Sequence, residues 1–515
     1  MLNQLRAALI AVHLYGGIAL CLLFVLWFVS GVGMAYYRTP VVTETTRLAF
    51  AESVIGNQVA LPPAALPALV ADWNHVDTLR RAQWRGRPLY RWRSISSGWH
   101  SAWADSGGAV RFDAVTLEAE ARRWLESQQV RYLGVYESDH QWSYFSGARS
   151  HYPLHKFATG GWASREVLLS SRTGEVIVAT TLGSRLLYYL GPGIHYFSFY
   201  PIRNNDALWR ALVNWSSGLG VVVCLFGLIL GLWRLRWAAV GTERRLIPYT
   251  GFWMYWHHWL GLAFGLLTFT FVLSGLFSMN PAQMFPTTSV PDALREEYFG
   301  PRPQIGSVPA LNFSSATPLL GSSVRELEYR RLRGRQMMLA VSSQQNQRLF
   351  EWQDPEWRSR AAFGADELMG LLQPVLSAPI ADVEWLASFD SHYYARKERY
   401  QPLPALRVRL EDSHATWLYL EPASGALFLK SDVGTRARRW LYNGLHSFDF
   451  RLFLERERLW LAVIWVLSLG GLLLSLGSVA VSWQWLTRWR ARRRRKDTPS
   501  RTHSALSSGD DPHGS

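Results

Sequence analysis

Four histidines lie at the ends of long apolar segments, where ionisable side chains are costly and therefore indicate function. His13 begins "HLYGGIALCLLFVLWFVSG" and His257 begins "HHWLGLAFGLLTFTFVLSG", two stretches that align without a gap. His195 and His446 lie in "YLGPGIHYFSF" and "WLYNGLHSFDF", which also align and precede further apolar segments. We expect His13 to face His257 at one level of a membrane bundle, and His195 to face His446 at the other.

Two imidazoles that face each other in an apolar bundle suit six-coordinate haem iron, which is commonly held by axial histidines. The sequence therefore predicts two haems, one near each face of a hydrocarbon core that is roughly 30 Å thick. Together they would form an electron path across the bilayer. The alternative is structural, because a single interfacial histidine more often snorkels or forms a hydrogen bond, and a duplication repeats residues whether or not they function.

His258 is the second member of the adjacent pair in "HHWLG". It is the alternative to His257 as a ligand, or it contacts a haem propionate or the interface. The gap-free alignment with His13 favours His257 as the ligand.

Four apolar segments must position these histidines, and each has the roughly 20 residues that cross a bilayer. The first has no A-x-A-like cleavage site, which predicts a retained anchor and not a removed signal peptide. The predicted organisation is a membrane helix at 1–35, an outer domain at 36–206, a helix at 207–233, a loop at 234–251, a helix at 252–279, a second outer domain at 280–458, a helix at 459–486 and a basic, disordered tail at 487–515.

Arginine-rich flanks predict the orientation of these helices. "WRLRWAAVGTERRLIPY" joins the second and third segments, and "RWRARRRRKD" follows the fourth. The positive-inside rule places both in the cytoplasm, together with both termini, and the two large domains outside, which in a bacterium is the periplasm. The formal charge of +15 is partly concentrated in the tail, which we interpret as topogenic or lipid-facing and not as a nucleic-acid site.

The two halves of the chain resemble each other throughout, which predicts a tandem duplication. "SDHQW" from Ser138 aligns with "DSHYY" from Asp390, and "WRGRP" around Gly86 aligns with "LRGRQ" around Gly334. Both halves would start inside, so we expect parallel repeats related by a pseudo-two-fold axis along the membrane normal. The outer domains are predicted to be α+β: "TLEAEARRWLESQQV" has helical spacing, and "EVLLSSRTGEVIVA" and "TWLYLEPASGALFL" are typical of hairpins.

Several classes of chemistry are excluded by what the sequence lacks. Its two cysteines, Cys21 and Cys224, lie in predicted membrane helices, which excludes disulfides in the outer domains and iron–sulfur clusters. No GxGxxG after a strand, P-loop or HExxH motif is present. An electron donor must therefore come from elsewhere, as a cytoplasmic protein or a quinol.

The chain resembles the PepSY-associated transmembrane-helix proteins, which include ferric-siderophore reductases. The motifs that carry the resemblance are "HHWLG" and "HLYGG", the Ser-Gly helix ends, "DSHYY", "TWLYLEPASG" and "RWLYNGLHSFDF". The resemblance implies a four-helix transmembrane bundle with two periplasmic PepSY-like α+β domains. It also implies two haem b groups within the helices and an inner-membrane enzyme that reduces an Fe(III) siderophore or other Fe(III) chelate and releases Fe(II).

The alternative is a non-enzymatic PepSY membrane protein that regulates a periplasmic protease or assists siderophore or metal uptake. His140 and His392 align across the halves and mark a possible periplasmic ligand site, although a structural role explains them as well. Neither has a His or Glu partner at metal-ligand spacing. Arginine clusters around Gly86 and Gly334 would attract anionic chelates, or they are solvated strand faces.

Overall fold

A computed structural model describes most of the chain, in two compact units. The described residues are 1–37, 40–55, 58–144, 146–235, 238–240, 243–245, 247–300, 305–309, 323–354, 356–396 and 400–497. The predicted disordered stretch at 498–515 lies outside them. By internal contacts, one unit comprises Met1–Val29, Ser216–Val272 and Ile464–Ser515, and the other comprises Ser30–Trp215 and Leu273–Val463.

Helices occur throughout the described chain. The α-helices are α1 Leu2–Tyr36, α2 Glu44–Phe50, α3 Pro67–Asp72, α4 Ala114–Leu125, α5 Ser146–Arg149, α6 Leu182–Tyr188, α7 Tyr200–Arg203, α8 Asp206–Arg234, α9 Phe252–Ser278, α10 Asp292–Phe299, α11 Ala365–Leu372, α12 Val433–Arg438, α13 Leu445–Ser447, α14 Arg451–Leu454 and α15 Glu457–Asp497. Two π-helical turns follow α6 and α12, at Tyr189–Gly193 and Arg439–Gly444.

Within the described residues, four helices are long and apolar enough to cross a membrane: α1, α8, α9 and α15. The predicted four-span membrane protein is therefore confirmed, and the lipid bilayer is its surroundings. Helix α15 continues past the predicted end at 486 to Asp497, because Arg and Lys are good helix formers and so the basic flank extends the helix.

In the first unit the four helices pack through small residues. A Cβ atom added to Gly470 would lie 2.1 Å from Phe264, and one added to Gly471 would lie 2.1 Å from Phe28. Small residues let membrane helices approach closely enough to pack without help from the hydrophobic effect. These contacts join α15 to α9 and to α1.

The strands are β1 Val76–Trp84, β2 Arg87–Ser94, β3 Gly98–Trp103, β4 Ala109–Val110, β5 Arg131–Tyr136, β6 Leu154–Ala158, β7 Glu166–Ser170, β8 Val176–Thr180, β9 Ala238–Val240, β10 Glu243–Arg245, β11 Glu326–Leu332, β12 Arg335–Val341, β13 Gln347–Gln353, β14 Glu356–Arg360, β15 Ile380–Leu386, β16 Ala405–Leu410, β17 Trp417–Glu421 and β18 Ala426–Ser431. They form antiparallel sheets of order β14-β13-β12-β11-β1-β2-β3-β4, β5-β6-β7-β8 and β15-β16-β17-β18, and a β9–β10 hairpin.

Elements recur in the same order in the two halves of the second unit. A meander, β1–β4 or β11–β14, is followed by a helix, α4 or α11, and by a second meander, β5–β8 or β15–β18. Helix α4 buries Leu117, Ala121 and Leu125, three of the residues that its spacing places on one side. The predicted α+β character of the large segments is confirmed, and the predicted hairpins are β7–β8 and β17–β18.

The eight-stranded sheet is continuous because β1 pairs with β11, with Leu79 opposite Tyr329. Its two central hairpins turn alike: Arg85 and Gly86 have φ values of 50° and 75°, and Arg333 and Gly334 have 49° and 76°. Positive φ at both central residues is typical of a type I′ turn, whose twist matches that of the flanking strands.

A buried ion network joins the elements around this seam. The Arg47 guanidinium donates to Glu175 at 2.7 Å and to Glu326 at 2.5 Å. Arg91 lies 3.1 Å from Glu175, and Arg80 lies 3.6 Å from Glu326. Burial alone would raise the pKa of both carboxyl groups, but the positive charges of these arginines outweigh it and hold each pKa below its ordinary value. Arg80, one of the predicted arginine-cluster residues, is thus an internal ion-pair partner and not part of a surface for anions.

Glu326→Gln should destabilise the protein strongly, because it leaves Arg47 and Arg80 buried beside a neutral amide. Breaking a buried pair from one side costs about 3–5 kcal/mol. Thermal unfolding in detergent, followed by tryptophan fluorescence, should show a clear fall in Tm. Glu356→Gln, which removes the exposed partner of Arg358, is the matched control and should change Tm little.

Acid should reproduce the effect in the wild-type protein. The ionised form of Glu326 contributes stability above its unfolded pKa of about 4.3, and that contribution is lost as the pH falls toward the lower folded value. Below about pH 5 the wild-type Tm should therefore fall more steeply than that of Glu326→Gln. Parallel curves for the two proteins would show that the network does not govern stability.

Candidate functional site

In the first unit, His13 of α1 and His257 of α9 lie side by side, with ring centroids 6.3 Å apart. The Nδ1 atom of His13 lies 3.0 Å from the Val223 carbonyl oxygen. The Nδ1 atom of His257 lies 3.2 Å from the Ser478 hydroxyl. Helices α8 and α15 thus each supply one polar atom that orients one imidazole.

These bonds determine which nitrogen carries the hydrogen. A carbonyl only accepts, so Nδ1 of His13 must donate. The Ser478 hydroxyl donates to the Leu474 carbonyl at 2.9 Å, so its oxygen accepts from Nδ1 of His257. In the neutral form of both rings the lone pair is then on Nε2, the arrangement that a metal-bound histidine adopts.

The partners of the two rings differ because the corresponding residues differ. The alignment that matches Leu208 with Leu459 places Gly227 opposite Ser478. A Cβ atom at Gly227 would lie 2.6 Å from Cε1 of His13. The glycine therefore provides space for the ring and offers no hydroxyl, and a helix carbonyl is the acceptor instead.

In the second unit, His195 and His446 form the corresponding pair, with ring centroids 6.1 Å apart. Nδ1 of His195 lies 3.0 Å from the Ser30 hydroxyl, and Nδ1 of His446 lies 3.1 Å from the Ser274 hydroxyl. Both serines are fully buried. They belong to the Ser-Gly helix ends of the sequence, and the glycine that follows each serine packs against the same ring.

The backbone around these two rings is also matched. Each histidine follows a π-helical turn, and Phe197 and Phe448 adopt positive φ values of 53° and 52°. The indole of Trp209 donates to the Tyr196 carbonyl at 2.6 Å, and that of Trp460 donates to the Ser447 carbonyl at 2.7 Å. The start of the following membrane helix thus holds each histidine segment.

Both pairs have dimensions that fit a metal ion between two imidazoles. A ring nitrogen bound to a first-row metal lies roughly 2 Å from it, so two rings on opposite sides have centroids roughly 6 Å apart. The described residues contain no cluster of three or more His, Cys, Asp or Glu side chains that could hold a bare ion. A two-histidine site instead fits haem, whose ring supplies the other four ligands.

His258 points to different neighbours from His257. Its ring lies 5.5 Å from that of Tyr249, and the ring that faces His13 is that of His257. His258 is 7% exposed, and its Nε2 atom has no hydrogen-bond partner among the described residues. A buried polar atom without a partner is costly, which fits the predicted contact to a haem propionate.

The two predicted periplasmic histidines have different environments. His140 packs 4.3 Å from Tyr136, its Nδ1 accepts from the Trp142 amide at 3.3 Å, and burial lowers its pKa to about 4. His392 lines a cavity of about 660 Å³, and burial lowers its pKa too. The Nδ1 atom of His392 has no partner among the described residues. The structure places His392 on a ligand-sized cavity and His140 in a packed environment.

A family model described as the PepSY-associated TM region matches residues 10–307, more than half of the chain. The chain belongs to the PepSY-associated TM region family. The match includes His13, His195 and His257 and ends before His446. No curated protein matches this PepSY-associated chain.

Gly227→Ala should destabilise the membrane bundle, although alanine is the better helix former by about 1 kcal/mol. The added Cβ meets the His13 ring and forces it to move. Gly218→Ala on the same helix is the matched control, because a Cβ there meets nothing within 4 Å. Thermal unfolding in detergent should give a lower Tm for Gly227→Ala and an equal or higher Tm for Gly218→Ala. Equal Tm values for the two variants would show that the ring does not depend on this space.

Proposed function

We propose that this chain is a haem-containing reductase of the bacterial inner membrane that passes electrons to Fe(III) chelates in the periplasm. The observation that carries the proposal is the two pairs of partly buried, facing imidazoles, whose Nδ1 atoms are all engaged by hydrogen bonds. Membership of the family and four membrane helices are consistent with it but do not by themselves imply redox activity.

Each histidine pair would hold one haem b, which when bound supplies a one-electron carrier. The protein contributes the rest. Serine hydroxyls or a helix carbonyl orient the imidazoles, and such outer contacts raise ligand basicity and fix the ring orientation. Apolar helices around the rings exclude water, and this lowers the dielectric constant at the site.

Electrons would enter at the level of His13 and His257 and leave at the level of His195 and His446. This order follows from the proposed topology, in which both termini and the 234–251 loop are cytoplasmic and both large domains are periplasmic. Recurrence of the histidines and of the fold elements supports the proposed duplication with parallel repeats. The donor would be a cytoplasmic protein or a quinol. Reduction to Fe(II) weakens binding by hard oxygen ligands and so releases the iron.

The proposal predicts that variants at the two histidine levels both lose electron transfer across the membrane but differ after chemical reduction. In proteoliposomes with an enclosed donor and an external ferric chelate, His446→Ala and His257→Ala should each abolish formation of external Fe(II), read with an Fe(II)-specific chelator. After chemical reduction with dithionite, His257→Ala should still be re-oxidised by the external chelate, because its outer level is intact. His75→Ala, at an exposed histidine, should behave as wild type.

External Fe(II) formed by His257→Ala at the wild-type rate would contradict the serial path. A wild-type protein that forms none with several donors would instead favour the non-enzymatic alternative, in which the domains act on a periplasmic partner.

A further inference from the structure

The cavity beside His392 lies entirely within the second unit and is strongly cationic. It has a volume of about 660 Å³, inside the range of roughly 300–1,000 Å³ typical of small-molecule sites. Two carboxylates line it, those of Asp449 and Glu457. Its lining carries five cationic side chains, those of Arg396, Lys430, Arg436, Arg438 and Arg439.

Arg439 is the most deeply buried of these cations, at 7% exposure. Its Nε donates to the Ser391 carbonyl at 2.9 Å, and one Nη donates to the Asp449 backbone carbonyl. The other, Nη1, has no partner among the described residues. The Asp449 carboxylate does not compensate this charge directly, because it pairs with Arg396 and accepts from the Tyr394 hydroxyl at 2.9 Å.

Two other cations on the lining, Arg436 and Arg438, contact neutral groups, whereas Lys430 pairs with a carboxylate. Arg436 donates to the Ala415 carbonyl at 2.9 Å and lies over the Trp417 ring. Arg438 lies over the Tyr442 ring, 5.1 Å from its centroid. Lys430 pairs with Asp432 at 3.3 Å. The lining thus carries more cations than carboxylates. A buried charge that lacks a counter-ion is costly, so a bound anion would stabilise the cavity.

The first half of the chain shows that the fold does not require this charge. The alignment of the histidine segments places Tyr188 opposite Arg439, and "SDHQWSY" places Tyr144 opposite Arg396. The hydroxyls of Tyr188 and Tyr144 bond to each other, and Tyr188 donates to the Ser198 carbonyl at 3.3 Å. Neutral side chains make the corresponding contacts in the first half. The positive charges of Arg439 and Arg396 are therefore not needed for the fold, and we infer a role for them that is specific to the second half.

The cavity borders the segment that carries His446. Asn443 and Asp449, which flank His446 in the chain, both line it. Trp460 also lines it and donates its indole hydrogen to the carbonyl of Ser447, the residue after His446. A molecule in the cavity would therefore lie against the histidine segment of the outer pair.

We propose that this cavity binds an anionic Fe(III) chelate, with carboxylate oxygens of the chelate on Arg439. The choice of an iron chelate rests on the proposed function, whereas the preference for an anion rests on the cavity alone. Nδ1 of His392, which also lacks a partner among the described residues, is a second polar contact for the ligand. An uncharged or cationic chelate would leave the arginines uncompensated and should bind poorly.

Isothermal titration calorimetry with gallium(III) citrate tests the proposal. Ga(III) resembles Fe(III) in charge and size but is not reduced under these conditions, so binding is read without electron transfer. The full-length protein should bind it, and Arg439→Gln should weaken binding by at least about tenfold, because truncating one member of a buried charge pair has effects of this order. Arg358→Gln, an equal charge change at an exposed position, should not weaken it.

Two further variants keep the test valid if Arg439→Gln folds poorly. Arg439→Tyr copies the first half and should retain the wild-type Tm but lose binding, and Lys430→Gln should weaken binding several-fold. Uncharged gallium tris-maltolate should bind at least about tenfold more weakly than the citrate complex.

The proposal is overturned if gallium citrate does not bind, if Arg358→Gln weakens binding as much as Arg439→Gln, or if citrate without metal binds equally well. Because gallium is not reduced, these outcomes are separate from failure of the reductase proposal. If the protein binds gallium citrate through Arg439 but does not reduce external Fe(III), the anion-site proposal stands and the reductase proposal fails.

Discussion

An imidazole placed between apolar helices must have its Nδ1 atom engaged by a polar partner, and this requirement organises both histidine pairs. The acceptor for His257 is the Ser478 hydroxyl, and for His13 it is the Val223 carbonyl. Serines at the ends of α1 and α9 bond to His195 and His446. Each bond joins two different helical segments, so the position of every ring depends on helix packing. Gly227 provides the space that the His13 ring needs, because a Cβ atom there would lie 2.6 Å from Cε1 of the ring.

Much of this arrangement could be predicted from the sequence because it depends on local composition and repetition. Apolar length predicts the four membrane helices, and the gap-free alignment of His13 with His257 predicts the two facing rings. The alternation of residues predicts the β7–β8 and β17–β18 hairpins. The choice of His257 over His258 also follows from the alignment, and the structure places His257 opposite His13.

Long-range pairing could not be predicted in this way. The β1–β11 seam joins strands that are distant in sequence, and nothing in either strand alone specifies the other. The same holds for the ion network, since Arg47 meets Glu175 and Glu326 only after the chain folds. The cationic cavity was missed for a related reason. Its signal is a difference between the halves, Tyr188 in the first and Arg439 in the second, whereas the repeat is evident from the residues that the halves share.

One physical requirement connects these features: polar groups that are removed from water need a compensating partner. Hydrogen bonds satisfy the Nδ1 atoms of the histidine pairs, and carboxylates compensate the arginines beneath the sheet seam. Among the buried polar atoms that lack a partner within the described residues are Nε2 of His258, Nδ1 of His392 and Nη1 of Arg439. All three lie where the proposals place a ligand: a haem propionate at His258, and an anionic chelate at His392 and Arg439.

The most direct test of the central claim is the haem content and spin state of the purified protein. Protein from haem-replete cells should contain two haems b per chain by the pyridine haemochromogen assay, with low-spin ferric signals in electron paramagnetic resonance. His13→Ala and His446→Ala should each retain one of the two haems. A colourless protein, or one whose haem is retained when all four paired histidines are replaced by alanine, would contradict the account.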